Sequence, residues 1–103
     1  MDNKKASDHQ QYWHNPLVTL REEDEEGGLL YDTSKKISKI VNYTGLLIWK
    51  EFILPACSKD VVTSISNYFE DIPLSEIQKD VMDFIDQLLE IGFIETVKEK
   101  ENL

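Results

Sequence analysis

The spacing of apolar residues changes near residue 42, and this change limits the folds available to the chain. Before it, short apolar runs are separated by turn residues, which favours β-strands. After it, apolar residues recur at spacings of three and four, which is typical of amphipathic helices. A chain of 103 residues lies within the size of one domain. The sequence therefore predicts one α+β domain in which strands precede helices.

Three short strands are predicted in the first half. Residues 17–21 and 29–31 flank the turn residues 27–28, so they are expected to form a hairpin. The run 22–26 is acidic throughout and is expected to be a solvated hairpin tip. A third strand is predicted at residues 37–41, which completes an antiparallel sheet.

The third predicted strand has no cleanly apolar face. Ile37, Lys39 and Val41 share one face, because side chains alternate along a strand. Ser38 and Ile40 share the other. This mixture favours a position at the edge of the sheet.

Three helices are predicted after the strands. Asn42 or Thr44 is expected to cap the first, which Pro55 ends. Ser58 is expected to cap the second, and residues 75–78 have the spacing of a capping box for the third. The predicted core of these helices is Trp49, Phe52, Ile65, Phe69, Ile77, Val81, Phe84 and Leu88.

Apolar residues cover about half the circumference of the third predicted helix, which is more than packing on a three-stranded sheet requires. Ile85 belongs to this wide apolar arc. One edge of the arc is predicted to line an exposed groove. This edge consists of Gln78, Lys79, Met82, Asp86 and Leu89.

Charge and cysteine content exclude several classes of function. The chain has 20 acidic and 11 basic residues, a net charge of −9, so it repels phosphate backbones and nucleic acid is not expected as a partner. Its apolar runs are shorter than the roughly 20 residues that cross a membrane, and the polar residues 1–5 do not resemble a secretion signal. With Cys57 alone, no internal disulfide forms, and a cytoplasmic location is expected.

The ends of the chain are polar and lack periodicity. Residues 1–14 are predicted to be a flexible N-terminal arm and residues 98–103 a C-terminal tail, with the folded domain at 15–97. His9 and His14 lie in the predicted arm at no recognised metal-ligand spacing. No nucleophile with a base, metal cluster or phosphate loop is evident, so we expect neither an enzyme nor a bound cofactor or metal.

Two passages resemble a known family. Residues 39–49 resemble the strand-to-helix passage Asn-x-Thr-Gly-x-x-Ile-Trp of PqqD-like proteins. Residues 80–88, followed by residues 92–94, resemble the third helix of that family and its glycine-hydrophobic-hydrophobic ending. The likeness extends over residues 15–97 in the family's order of three strands and three helices. It implies a winged-helix-like domain without catalytic residues.

The resemblance also implies a function. PqqD-like proteins are precursor-peptide recognition elements, in which the leader of a ribosomally made peptide adds as a strand beside the third strand, against the third helix. The protein presents the leader to a modifying enzyme, of the radical SAM type or another. The residues expected to bind peptide are Lys35, Lys36, Ile37, Ser38, Lys39, Ile40, Val41, Gln78, Lys79, Met82, Ile85, Asp86 and Leu89.

Positive charge is concentrated around the third predicted strand. Lys35, Lys36 and Lys39 stand together in an otherwise acidic chain. They either prevent the edge strand from pairing with copies of itself or steer an acidic peptide onto it. The sequence leaves both roles open.

Two other functions remain as alternatives. A winged-helix transcriptional regulator has a similar order of elements, but its recognition helix carries Arg and Lys toward the DNA. The third predicted helix instead has five acidic residues against Lys79. The other alternative is an adaptor that binds a folded protein, which the sequence does not separate from a peptide-binding module.

Overall fold

The computed structural model describes residues 9–98. Within them, strands and helices form two small sheets and a helical layer. The elements are, in chain order, β1 (Gln11–His14), β2 (Val18–Glu22), a 3₁₀ helix (Asp24–Glu26), β3 (Gly28–Asp32), β4 (Ile37–Val41), α1 (Tyr43–Glu51), β5 (Ala56–Cys57), α2 (Ser58–Ser66), α3 (Leu74–Glu90) and β6 (Ile94–Thr96).

The first sheet has the antiparallel order β2-β3-β4 and confirms the three predicted strands. The residues of the acidic run 22–26 are exposed at the tip of the β2–β3 hairpin. Gly27 closes this tip with a φ of 121°, where a Cβ would overlap the carbonyl oxygen of Val41. Only glycine fits this conformation and this close approach.

The second sheet has the order β5-β1-β6 and joins segments from both ends of the chain. Its strand β1 shows that the predicted flexible arm is wrong for Gln11–His14, because these residues pair with both neighbours. Tyr12 is 3% exposed and packs edge-to-face on Phe52, with 6.2 Å between ring centroids. Residues 1–8 of the predicted arm lie outside the described residues, as does the predicted tail beyond Lys98.

The helix ends follow only part of the predicted capping. The side chain of Asn42 accepts a hydrogen bond of 2.8 Å from the Gly45 N–H, which confirms it as the cap of α1. Ser58 is the first residue of α2 rather than its cap. Because α3 begins at Leu74, Ser75 lies inside the first turn and makes no cap. The C-terminal end of α3 is formed by Gly92, with a φ of 77°.

One apolar core lies between the sheets and the helices. Trp49, Phe52, Ile65, Ile77, Val81 and Leu88 are buried as predicted. Phe69 and Phe84 are only partly buried and pack against this core from outside. The prediction that Phe69 and Phe84 lie inside the core is therefore wrong. Within residues 9–98, no helix has the length and apolarity needed to cross a membrane.

Candidate peptide groove between β4 and α3

The strand β4 is the open edge of its sheet. It pairs with β3 along its whole length, and no other strand within residues 9–98 pairs with its opposite side. An open edge exposes N–H and C=O groups that a further strand can bind.

The contacts at the two ends of the β2–β3 hairpin determine which residues face this edge. The Glu23 N–H donates to the Gly27 carbonyl at 2.8 Å, and the Thr33 N–H donates to the Leu17 carbonyl at 2.9 Å. Hydrogen-bonded and non-bonded pairs alternate along an antiparallel ladder. Consequently the backbone N–H and C=O groups of every second residue of β3, including Leu30, point away from β2 and toward β4.

The register between β3 and β4 then identifies the unpaired backbone groups. Leu30 is opposite Lys39, so Lys39 uses its N–H and C=O inside the sheet. Its neighbours Ser38 and Ile40 direct theirs to the open side. Two donors and two acceptors are thus available at this edge.

The turn before β4 is held by a buried carboxylate. Asp32 is fully buried, and its Oδ1 accepts hydrogen bonds from the Ser34 N–H at 2.8 Å and the Lys35 N–H at 2.9 Å. Lys36 takes the left-handed conformation, with a φ of 61°. This turn fixes the position at which β4 begins.

A groove of about 460 Å³ separates β4 from α3. Phe84 forms part of it, and the ammonium of Lys39 lies 5.9 Å from the ring centroid, within the range of a cation–π interaction. A Cβ on Gly45 would lie 3.2 Å from the Phe84 ring, so glycine leaves room for that ring beside α1. The lining residues are Lys39, Ile40, Val41, Asn42, Thr44, Gly45, Ile48, Asp80, Asp83, Phe84 and Gln87.

The groove has opposite charges toward its two ends. The ammonium of Lys35 lies beside Gly92, 2.9 Å from where a Cβ would be, at the C-terminal end of α3. Asp80 and Asp83 lie near the middle of α3, farther from Gly92. The Lys79 ammonium pairs with Asp83 at 3.1 Å, whereas no cation within residues 9–98 pairs with Asp80.

Comparison with known proteins identifies the family. The family model described as Coenzyme PQQ synthesis protein D (PqqD) matches residues 27–94, more than half of the chain. The chain belongs to the PqqD family. The matched residues include β3, β4 and α3, so they contain both walls of the groove.

Two solved structures share the fold of this PqqD-family chain. "TbiB1 in Complex with the TbiA(beta) Leader Peptide" has a TM-score of 0.72 at 15% identity, over 84% of this chain and 99% of that one. "Lasso peptide synthetase B1 complexed with the leader peptide" has a TM-score of 0.68 at 18% identity, over 82% and 96%. No curated protein sequence matches. These similarities confirm the predicted α+β fold and the family resemblance.

The structure separates the predicted binding residues onto different surfaces. Lys39, Ile40 and Val41 line the groove, and Ile37 and Ser38 belong to the same strand. The α3 edge that was predicted to line the groove, with Gln78 and Met82, does not face β4 and is called the far edge below. The opposite edge of the apolar arc borders the groove and is called the near edge. The near edge consists of Asp80, Asp83, Phe84 and Gln87. Whether the strand residues bind peptide stays a prediction.

The residues of the far edge have other neighbours. Gln78 and Met82 line a cleft of about 380 Å³ beside α2. Ile85 is 0% exposed, and Leu89 packs on the core. Asp86 lies close enough to Tyr12 to help raise the pKa of that phenol, although burial of the tyrosine is the larger cause. Of the predicted helix residues, only Lys79 is tied to the groove, through Asp83.

Sequence reasoning missed the near edge of α3. No site role was predicted for Asp80, Asp83 or Gln87, and Phe84 was predicted to lie in the core. Gly45 was the available signal, because a glycine near the start of a helix leaves room for a close neighbour. Within residues 9–98, no cluster of three or more His, Cys, Asp or Glu is arranged to hold a metal.

Proposed function

We propose that this chain binds the leader of a ribosomally made precursor peptide as an added strand on β4 and presents it to a separate modifying enzyme. The observation that carries the proposal is the unpaired backbone of Ser38 and Ile40 beside the groove. Membership of the PqqD family supports it. So do the two structures of the same fold, which are named as complexes with leader peptides.

The backbone of β4 and the groove at α3 contribute differently to affinity and selectivity. Main-chain pairing with Ser38 and Ile40 accepts many sequences, because every residue except proline has the same backbone groups. Side chains on one face of the leader enter the groove and contact Phe84 and its neighbours. Selectivity therefore comes mainly from α3.

The chain itself supplies binding rather than chemistry in this proposal. The modifying enzyme, of the radical SAM type or another, is a separate protein that receives the leader. The Lys35 ammonium lies at the C-terminal end of α3, Lys36 has the left-handed conformation of a turn, and the Lys39 ammonium lies over the Phe84 ring. We propose that these lysines also attract acidic residues of the leader.

A proline substitution tests strand addition directly. The Ile40 N–H bonds nothing within the sheet, so Ile40→Pro should leave the melting temperature nearly unchanged. It should weaken binding of the leader encoded beside this gene by about 1–3 kcal/mol in calorimetric titration, because one partner carbonyl loses its donor.

Ile40→Thr is the matched control. The Ile40 side chain is 82% exposed and the neighbouring Val41 is buried, so alternation along β4 directs the Ile40 side chain away from the helices. Ile40 is therefore expected to border the groove mainly through its backbone, and threonine keeps the backbone donor. This variant should bind the leader like the natural protein. Equal affinity of the proline and threonine variants would contradict strand addition on β4.

A further inference from the structure

We infer that the charges of the groove select one direction of the bound leader, with a basic side chain beside Asp80 and an acidic side chain beside Lys35 and Lys39. The inference rests on the proposed function, since it concerns the peptide bound at that site. It adds the chemical pattern and the orientation of the leader.

The positions along β4 and α3 establish the charge order. Lys35 lies beside Gly92 and Lys39 over Phe84, so β4 and α3 run in opposite directions. The Lys35 ammonium therefore lies toward the start of β4 and the Lys39 ammonium near its middle. Asp80 precedes Phe84 by one turn of α3, so its unpaired carboxylate is expected to lie beyond Lys39 in the groove that it shares with Val41, toward the end of β4.

Main-chain pairing alone discriminates little between the two directions of an added strand. Antiparallel pairing is only slightly more stable per residue than parallel pairing. Fixed charges of opposite sign at the two ends add a difference that does depend on direction. Lys35 and Asp80 are exposed, so this difference should be largest at low salt.

The register gives the expected leader pattern. Ile37, Lys39 and Val41 share the sheet face that contains the buried Leu30, so the leader residues opposite them also face the helices. In an antiparallel leader, the residue opposite Val41 comes first and the residue opposite Ile37 comes last. The pattern is therefore basic, any, apolar, any, acidic.

Each position of this pattern has a partner. The basic side chain faces Asp80, with Asp83 next to it but already bonded to Lys79. The apolar side chain packs on Phe84 and on the methylene groups of Lys39. The acidic side chain lies diagonally from Lys39 and on the side where the Lys35 ammonium lies.

Two synthetic peptides of identical composition test the direction. Both are short, capped and rich in Thr and Val. One has the central order Arg-Thr-Leu-Thr-Glu and the other has Glu-Thr-Leu-Thr-Arg, so net charge and hydrophobicity are matched. Binding is followed from amide chemical shifts of the whole chain at low and high salt, and a nitroxide label at the N-terminus of each peptide reports its direction by broadening the nearby amide signals.

The label of the first peptide should broaden amides near the end of β4 and the label of the second should broaden amides near its start, because each direction places Arg beside Asp80. Two partly exposed ion pairs should favour these directions about fivefold at low salt, and the preference should shrink with salt. Asp80→Asn should reduce the preference. Asp86→Asn removes the same charge from the far edge of α3 and should leave it unchanged.

The readouts separate this inference from the proposed function. Shifts of the Ser38 and Ile40 amides with either peptide would support strand addition whatever the order of charges. Labels of both peptides near the same end of β4, or a directional preference that survives Asp80→Asn, would overturn the direction while leaving leader binding intact. Failure of both peptides to shift these amides, together with failure of the natural leader to do so, would overturn both proposals.

Discussion

The two edges of α3 differ in their neighbours more than in their residues. The near edge places Phe84 among polar side chains opposite β4, and the far edge places Met82 among polar side chains opposite α2. A strand edge leaves half its backbone groups unpaired, whereas the backbone of a helix such as α2 is already satisfied by its own turns. We therefore propose the peptide site at the edge of α3 that borders an open strand.

Substitutions in the buried stripe of α3 between these two edges should have the largest effect, and they should change only the stability of the fold. Ile85 is fully enclosed, so Ile85→Ala should lower the free energy of unfolding by about 2–5 kcal/mol. Gln78→Ala on the far edge should change it by less than about 0.5 kcal/mol. Denaturant unfolding measures both. A small cost for Ile85→Ala would mean that the stripe is not the core.

A negative charge introduced at either edge of α3 in turn should show which edge contacts the leader. Phe84→Glu should weaken leader binding by about 2 kcal/mol or more, the size of an interface hot spot. Met82→Glu should leave the dissociation constant nearly unchanged, because Met82 lies beside α2. Calorimetry on both folded variants compares them. The opposite ranking would move the site to the far edge.

Charge reversal of the lysines near β4 should have a smaller effect, mainly on the association rate. Changing Lys35, Lys36 and Lys39 to Glu should slow association with an acidic leader about tenfold at low salt and weaken its salt dependence. Lys59→Glu, in the far cleft, is the control. Stopped-flow rates that stay equal at every salt concentration would mean that the three lysines only guard the edge.

The smallest expected effect is the alkaline pH dependence at the far edge. Burial, and next the charge of Asp86, raise the pKa of Tyr12 above its ordinary value of 10.0. The native state therefore keeps this proton at pH values where the unfolded state has lost it. The stability from this difference is complete below about pH 10 and falls as the pH rises through the raised pKa.

Tyr12→Phe should remove this part of the alkaline loss, and Asp86→Asn should lessen it. Denaturant midpoints measured between about pH 8 and 11 would show the difference from the natural chain. Identical slopes for the natural protein and Tyr12→Phe would contradict the assignment.

The β2-β3-β4 sheet was predictable because each strand pairs with its neighbour in sequence. The other sheet was not, because β1 pairs Tyr12 with Ala56 on one side and with Thr96 on the other. Strands this short and this distant in the chain leave no local periodicity to detect. Tertiary contacts order residues whose polar sequence had indicated a loose arm.

The near edge of α3 was unpredictable for a related reason. A helical stripe has two edges, and periodicity alone does not say which of them lies beside β4. Phe84 satisfies the pattern of a core residue, and only the packing of its ring near Gly45 places it at the groove. The edge strand itself was predictable, because its mixed faces follow directly from alternation along residues 37–41.

Amide hydrogen exchange along β4 tests the central claim most directly, because alternate residues serve as controls for one another. In the free protein, Lys39 and Val41 should exchange slowly because their N–H groups bond β3, whereas Ser38 and Ile40 should exchange quickly. Saturation with the leader peptide should protect Ser38 and Ile40 as well. Ser38 and Ile40 amides that remain unprotected in a saturated complex would contradict strand addition at this edge.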